Sequence, residues 1–101
     1  MASKSIIDNR KKCFFCDSLY NLDKHHCLHG TARRRLAEED GLWVYLCRRH
    51  HEKVHRNREM DLTIQRLAEW AWLDANGYID DGVPYPEGIE EFIKRYGKNL
   101  I

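Results

Sequence analysis

No segment of this 101-residue chain approaches the ~20 consecutive apolar residues that a membrane-spanning helix needs. Residues 1 to 12 likewise contain no apolar run of signal-peptide length. A cytoplasmic protein with no membrane partner is therefore expected. Internal repeats and low-complexity tracts are absent, and a single stretch, residues 76 to 88, is rich in Gly, Pro and Asp. It reads as a loop between two helices. With 43% apolar and 33% charged residues the chain suits one compact domain, and nothing asks for a second. Cysteine is scarce at four residues, and in a reducing compartment clustered Cys and His hold metal more readily than they form disulfides. Net charge is nearly missing too, at 17 Lys and Arg against 16 Asp and Glu.

That balance conceals a division. Residues 1 to 60 carry thirteen basic and eight acidic side chains and residues 61 to 101 carry four and eight, so the halves are +5 and −4. The basic half holds every histidine, so a polyanion would be drawn toward whatever those histidines build. All the cysteines and histidines fall between Cys13 and His55. Cys13-x2-Cys16 and Cys47-x2-His50 are two short knuckles that together offer a tetrahedral zinc three thiolates and one imidazole. His51 and His55, four apart on an expected helix, share a face and can chelate a second ion, with His25 completing the triad from a distant segment. His26 is then an imidazole beside a metal, the arrangement a hydrolytic base requires. Cys27 follows at an apolar strand position and reads as a small buried hydrophobe.

The patterns predict an α+β fold. Residues 1 to 12 read as a polar, poorly anchored arm, residues 13 to 60 as a metal-binding module, and residues 61 to 101 as a helical brace within the same domain. An irregular strand is expected from Leu19 to Cys27. Thr31 is expected to cap a short helix running to about Asp40, with Gly41 as a left-handed stop. Leu42 to Leu46 is the clearest strand, and a helix is expected from His50 to about Arg58. Ile64, Leu67, Ala68, Ala71, Trp72 and Ala75 make an apolar stripe at helical spacing, and Ile89, Phe92, Ile93 and Tyr96 make a shorter one closed by Gly97. At such spacings Trp43, Trp70 and Trp72 belong to the core rather than to a base-stacking surface.

The ordered set Cys-x2-Cys, His25-His26, then Leu46-Cys47-x2-His50-His51-x3-His55 resembles the HNH endonucleases of the ββα-metal class, including their small phage and prophage members. The resemblance covers roughly residues 13 to 56. It implies a zinc-knuckle-stabilised ββα-metal core, here braced by C-terminal helices, in a phage- or prophage-encoded protein of a bacterial host. It makes His25, His51 and His55 metal ligands, His26 the general base, and Cys13, Cys16, Cys47 and His50 the structural zinc site. The implied activity is metal-dependent hydrolysis of nucleic-acid phosphodiesters, with double-stranded DNA as the expected substrate. One element differs: Leu42 stands about where such sequences place a middle Asn that holds the connecting loop and orients the base.

A neutral His26, with an ordinary pKa near ~6.5, suits deprotonation of water at physiological pH. Three imidazoles favour Zn, Ni or Co over Mg, although the sequence does not distinguish Zn, Ni, Mn and Mg as the working ion. If the last helix is regular at ~100° per residue, Arg48 and Arg58 share the face of His51 and His55 and are the better phosphate clamps. Arg49, Lys53 and Arg56 then lie opposite. The run Arg33-Arg34-Arg35 spans roughly 200° of a helix, so one or two of these, Arg33 and Arg34 among them, reach a backbone. No base-reading element stands out, and strong site preference is not expected. The alternative reading is a zinc-stabilised nucleic-acid-binding or protein-binding regulatory module on the same scaffold, without catalysis. A protein partner or a homodimer is left open by the sequence.

Overall fold

The computed structural model describes residues 4 to 101, and among these it forms an α+β fold of four helices and two small sheets. In chain order the elements are β1 (Leu22–His26), α1 (Thr31–Asp40), β2 (Trp43–Cys47), α2 (Arg48–Arg56), α3 (Arg58–Ala75), β3 (Ile79–Asp80), β4 (Val83–Pro84) and α4 (Pro86–Tyr96). No helix among the described residues is long and apolar enough to cross a membrane.

The polar sequence of β1 has little strand tendency of its own, and its partner supplies it. β2, with Trp, Val, Tyr and Leu in succession, pairs antiparallel to β1 in a register that sets Asp23 opposite Leu46, His25 opposite Val44 and His26 opposite Trp43. Because side chains alternate along a strand, Lys24 and His26 share one face with Tyr45 and Trp43, while Asp23 and His25 share the other. The strand is shorter than the expected span from Leu19. Asn21 is left-handed (φ 53°), and Leu19 and Tyr20 stay exposed, so pairing begins only at Leu22.

Helix α1 is the excursion between these strands. Thr31 does not cap it: Gly30 occupies the cap position, Thr31 is already helical, and no side chain bonds the first turn. Its stop is the expected one, Gly41 at φ 73° with its N–H on the carbonyl of Ala37. Gly41 has a second duty, since a Cβ there would collide with the Lys4 carbonyl, and Ile6 N–H bonds the Gly41 carbonyl at 2.9 Å. The described part of the N-terminal arm is therefore docked, not loose. Ser5 is buried, its hydroxyl donates to the Trp43 carbonyl at 2.5 Å, and it accepts the N–H groups of Ile7 and Asp8 at 3.2 and 3.1 Å.

Helix α2 ends two residues before the expected Arg58. Asn57 is extended (φ −119°, ψ 102°), and its side chain accepts the Met60 N–H at 3.1 Å, which caps α3 at the expense of continuing α2. Arg58 thus starts a different helix from the one that carries His51. On α3 the buried side is Ile64, Gln65, Ala68, Glu69, Trp72 and Leu73, one step round from the expected stripe. Leu67, Trp70 and Ala71 instead line an open apolar groove with Ile6 and Phe14, so Trp70 does not belong to the core. The stretch after α3 is more than a loop. Asp81 and Gly82, both at positive φ, make the two-residue turn of the β3–β4 hairpin before Pro86 opens α4.

The core lies where the β1–β2 pair meets α2, α3 and α4, with Leu28, Leu42, Val44, Leu46, Val54, Ile64, Leu73 and Phe92 all at most 2% exposed. Cys27 is fully buried within it, and burial, then the charge of Asp61, push its thiol far above the ordinary range. It is neutral, as a small hydrophobe should be. At the rim of the core Asp40 closes α1 onto the C-terminal helices, accepting from Trp72 Nε1 at 3.1 Å, Arg95 Nε and Nη2 at 2.6 and 2.9 Å, and the Tyr96 hydroxyl at 2.6 Å.

Candidate metal centres

Two groups of metal-competent side chains form, and within each the ligand atoms lie within 4.8 Å of one another: Cys13, Cys16, Cys47 and His50, and His25, His51 and His55. The first is assembled by two turns. Asp17, left-handed at φ 59°, lets its N–H return to the Cys13 carbonyl at 2.9 Å, while Phe14 N–H bonds the Tyr45 carbonyl at 2.8 Å and fastens the knuckle to β2. Cys47 ends β2, and His50, three residues on, lies in the first turn of α2.

Two thiolates on one tetrahedral zinc stand about 3.8 Å apart, and a thiolate and an imidazole about 3.5 Å. Cys16 Sγ to Cys47 Sγ is 3.8 Å, Cys13 Sγ to His50 Nδ1 is 3.6 Å, and Cys47 Sγ to His50 Nδ1 is 3.2 Å. The four residues are compatible with a zinc site of this size. Their electrostatics agree: burial raises the Cys13 thiol, but hydrogen bonds from the backbone of Cys47, Cys16 and Phe15 outweigh it and hold the group below its ordinary range. Burial and the nearby Arg49 and Lys53 charges lower His50, which favours the neutral imidazole that a metal requires.

The histidine group joins two segments. His51 and His55 are one turn apart on α2, their Nε2 atoms 3.3 Å from each other, close to the spacing of about 3.3 Å expected for two imidazoles on one tetrahedral ion. Asp23 Oδ2 lies 3.2 Å from His51 Nδ1, so that nitrogen carries the proton and Nε2 keeps its lone pair for a ligand. His25 is 3% exposed on β1, with its ring 5.4 Å from that of His51 and 6.0 Å from that of His55. Its Nε2 is buried and has no hydrogen-bond partner among the described residues, an arrangement that costs free energy unless a ligand meets it. Burial first, then the charges of His51, His29 and His55, push His25 down to about 4, so it is neutral at physiological pH.

A cavity of about 240 Å³ lies over this group and is lined by Lys24, His25, His26, His29, Arg34, His51 and His55. His26 thus faces the same space as the three histidines. Glu38, in the last turn of α1, accepts from His26 Nε2 at 2.9 Å and from Lys24 Nζ at 3.1 and 3.2 Å. The His26 hydrogen bond, working with Lys24 against burial, holds the Glu38 carboxyl below its ordinary value. An ionised carboxylate only accepts, so Nε2 of His26 is the protonated nitrogen and Nδ1 is the basic one.

Of the four arginines expected to meet phosphate, Arg34 lines the cavity and Arg33, Arg48 and Arg58 do not. Arg33 lies beside Gly97 at the end of α4, Arg48 is exposed at the start of α2, and the break at Asn57 removes Arg58 from the helix face it was assigned. Leu42 is fully buried in the core and offers no polar group to the cavity. Sequence reasoning missed Asp23, Glu38 and His29. The first two are ordinary surface charges until the strand register and the α1 excursion bring them to their histidines. His29, three residues after His26, could have been found as the sixth histidine of the cluster; its Nε2 lies 2.7 Å from Asp61 Oδ1. No protein-family model, curated protein or solved structure matches the chain.

Proposed function

We propose that this protein is a metal-dependent HNH-type endonuclease with a ββα-metal core, hydrolysing phosphodiester bonds of double-stranded DNA. The observation that carries the reading is that His25, whose buried Nε2 has no partner among the described residues, offers a ring nitrogen within 4.8 Å of those of His51 and His55, with His26 on the same cavity. A purely structural scaffold gives no reason to enclose an imidazole nitrogen without a partner.

His25, His51 and His55 would hold the working divalent ion, which when bound supplies Lewis-acid stabilisation of the charge that develops on the scissile phosphate. His26 takes the proton of the attacking water on Nδ1. Glu38 fixes its tautomer through Nε2 and stabilises the imidazolium that results, the orienting duty that Leu42 cannot perform. Arg34 supplies a fixed positive charge at the cavity wall. Cys13, Cys16, Cys47 and His50 would hold a structural zinc that fastens the N-terminal knuckle to the start of α2.

The test is nicking of supercoiled plasmid DNA with Mg, Mn, Ni or Zn supplied. Wild-type protein is expected to cut with at least one ion, and His26→Ala to lose cutting while keeping its fold and zinc content. His51→Ala should lose one equivalent of bound metal and keep the other. Cutting by His26→Ala at the wild-type rate would overturn the assignment of the base. Salt-sensitive DNA binding with no cleavage under any of the four ions would favour the second reading, a non-catalytic binding module, for which the apolar Leu42 is the supporting feature.

A further inference from the structure

Beside the histidine cavity lies a second one of about 370 Å³, lined by Lys4, Asn9, Lys11, Lys24, Trp43 and Tyr45. Lys24 lines both. Its ammonium sits 4.2 Å from the centre of the Trp43 ring and is tied to Glu38, so it stands at the border between the two spaces. We infer that this second cavity is a backbone-phosphate subsite for the DNA strand whose neighbouring phosphate enters the histidine cavity, an inference that rests on the nuclease reading above.

The charge balance supports an anion. Three lysines face the cavity, and neither Lys4 nor Lys11 has a carboxylate partner among the described residues. The one acid of the adjacent arm segment, Asp8, is spent on Arg10 at 2.9 and 3.0 Å, and Glu38 is shared between Lys24 and His26. The position of the lysines is built. Buried Ser5 ties the arm to β2, and the Gly41 carbonyl ties Ile6, which holds the segment bearing Lys4 and Lys11 against the Lys24, Trp43 and Tyr45 face of the β1–β2 pair. A strand is favoured over an isolated anion because two basic cavities sharing one lysine match successive charges on a chain. An acidic polypeptide would offer charge to the lysines but nothing suited to the histidine trio.

The experiment measures binding of a fluorescein-labelled DNA duplex by anisotropy across a salt series, with His26→Ala protein and no added divalent ion. Scoring is then independent of cleavage. In that background Lys4→Ala/Lys11→Ala should weaken binding roughly tenfold at 0.1 M salt and make the plot of log K against log salt shallower by about 1 for each lysine removed. Ser5→Ala, which frees the arm without changing charge, should move affinity in the same direction. Arg49→Ala/Lys53→Ala/Arg56→Ala removes three charges from exposed positions of α2 outside both cavities and should leave the slope as it was. Equal losses from the double and the triple variant would reduce the effect to bulk charge and overturn the subsite. Equal competition by poly-glutamate of matched charge, or no binding by the parent protein at low salt, would overturn it too. If the double variant behaves as expected while wild-type protein never cuts plasmid, only the catalytic reading falls. If wild-type protein cuts and the slope does not change, only the subsite falls.

Discussion

Glu38 carries more of the candidate site than its place in an acidic helix end suggests. Its carboxylate accepts from His26 Nε2, and it draws Lys24 toward the same point. Removing such a partner leaves the imidazole free to rotate and to exchange tautomers, which forfeits part of the roughly 10²–10⁴-fold that a positioned general base contributes. Glu38→Ala is therefore expected to lower the plasmid-cutting rate by about 10–100-fold, within the contribution of the base, with bound metal unchanged. Glu38→Gln keeps a carbonyl that can accept from Nε2–H, so it should recover most of the rate. The comparison of the two variants, with metal content by elemental analysis, separates orientation from folding. Equal loss in both would show that Glu38 works through its charge and not through the hydrogen bond.

At the scale of elements, α3 shows how a sequence pattern and a fold part company. An apolar stripe through Leu67, Ala71 and Ala75 counts hydrophobicity alone, yet the helix turns one step so that Gln65 and Glu69 go inside and Leu67 stays 39% exposed. Glu69 is fully buried, its Oε1 accepts the Leu100 N–H at 2.7 Å, and its Oε2 has no partner among the described residues. Burial raises its carboxyl above the ordinary range. The folded state therefore holds this proton more tightly than the unfolded chain, and the stability tied to it is present at acid pH and lost as pH rises through the raised value. Glu69→Gln should be more stable than wild type at pH 7, with the gap closing toward pH 4, where the carboxyl of the unfolded chain is protonated as well. Thermal unfolding of both proteins at the two pH values checks this, and a gap independent of pH would mean that the carboxyl does not titrate in that window.

The same comparison explains what was legible beforehand. Gly41 and Gly97 end their helices as their positions require, and β2 announces itself by its aromatic and branched residues. The knuckles were readable because their ligands sit three residues apart on local turns. What stayed hidden depends on partners distant in the chain: the strand state of polar β1, the capping competition at Asn57, the docking of the arm on Gly41, and the pairing of Asp23 and Glu38 with histidines.

For the molecule as a whole, the C-terminal helices are tied to α1, and through it to the histidine cavity, at Asp40. Asp40 ends α1, the helix that brings Arg34 to the cavity and Glu38 to His26, and its two oxygens gather Trp72 from α3 and Arg95 and Tyr96 from α4. The ion pair with Arg95 spans 55 positions of sequence, so losing it frees a long loop as well as a charge. Hydrogen bonds to charged groups contribute about 1.5–3 kcal/mol each and are not additive within one network, which puts Asp40→Ala at roughly 2–4 kcal/mol. For a domain of this size that corresponds to a fall of roughly 10–20 °C in Tm. The Cys13, Cys16, Cys47 and His50 group shares no residue with this network, so a zinc supplied to it should stay bound below the new transition. Calorimetry and metal content on the variant test both halves of the argument: an unchanged Tm would mean that α1 is held by its apolar face alone, and loss of the knuckle metal at low temperature would mean that the two ends of the molecule are one cooperative unit.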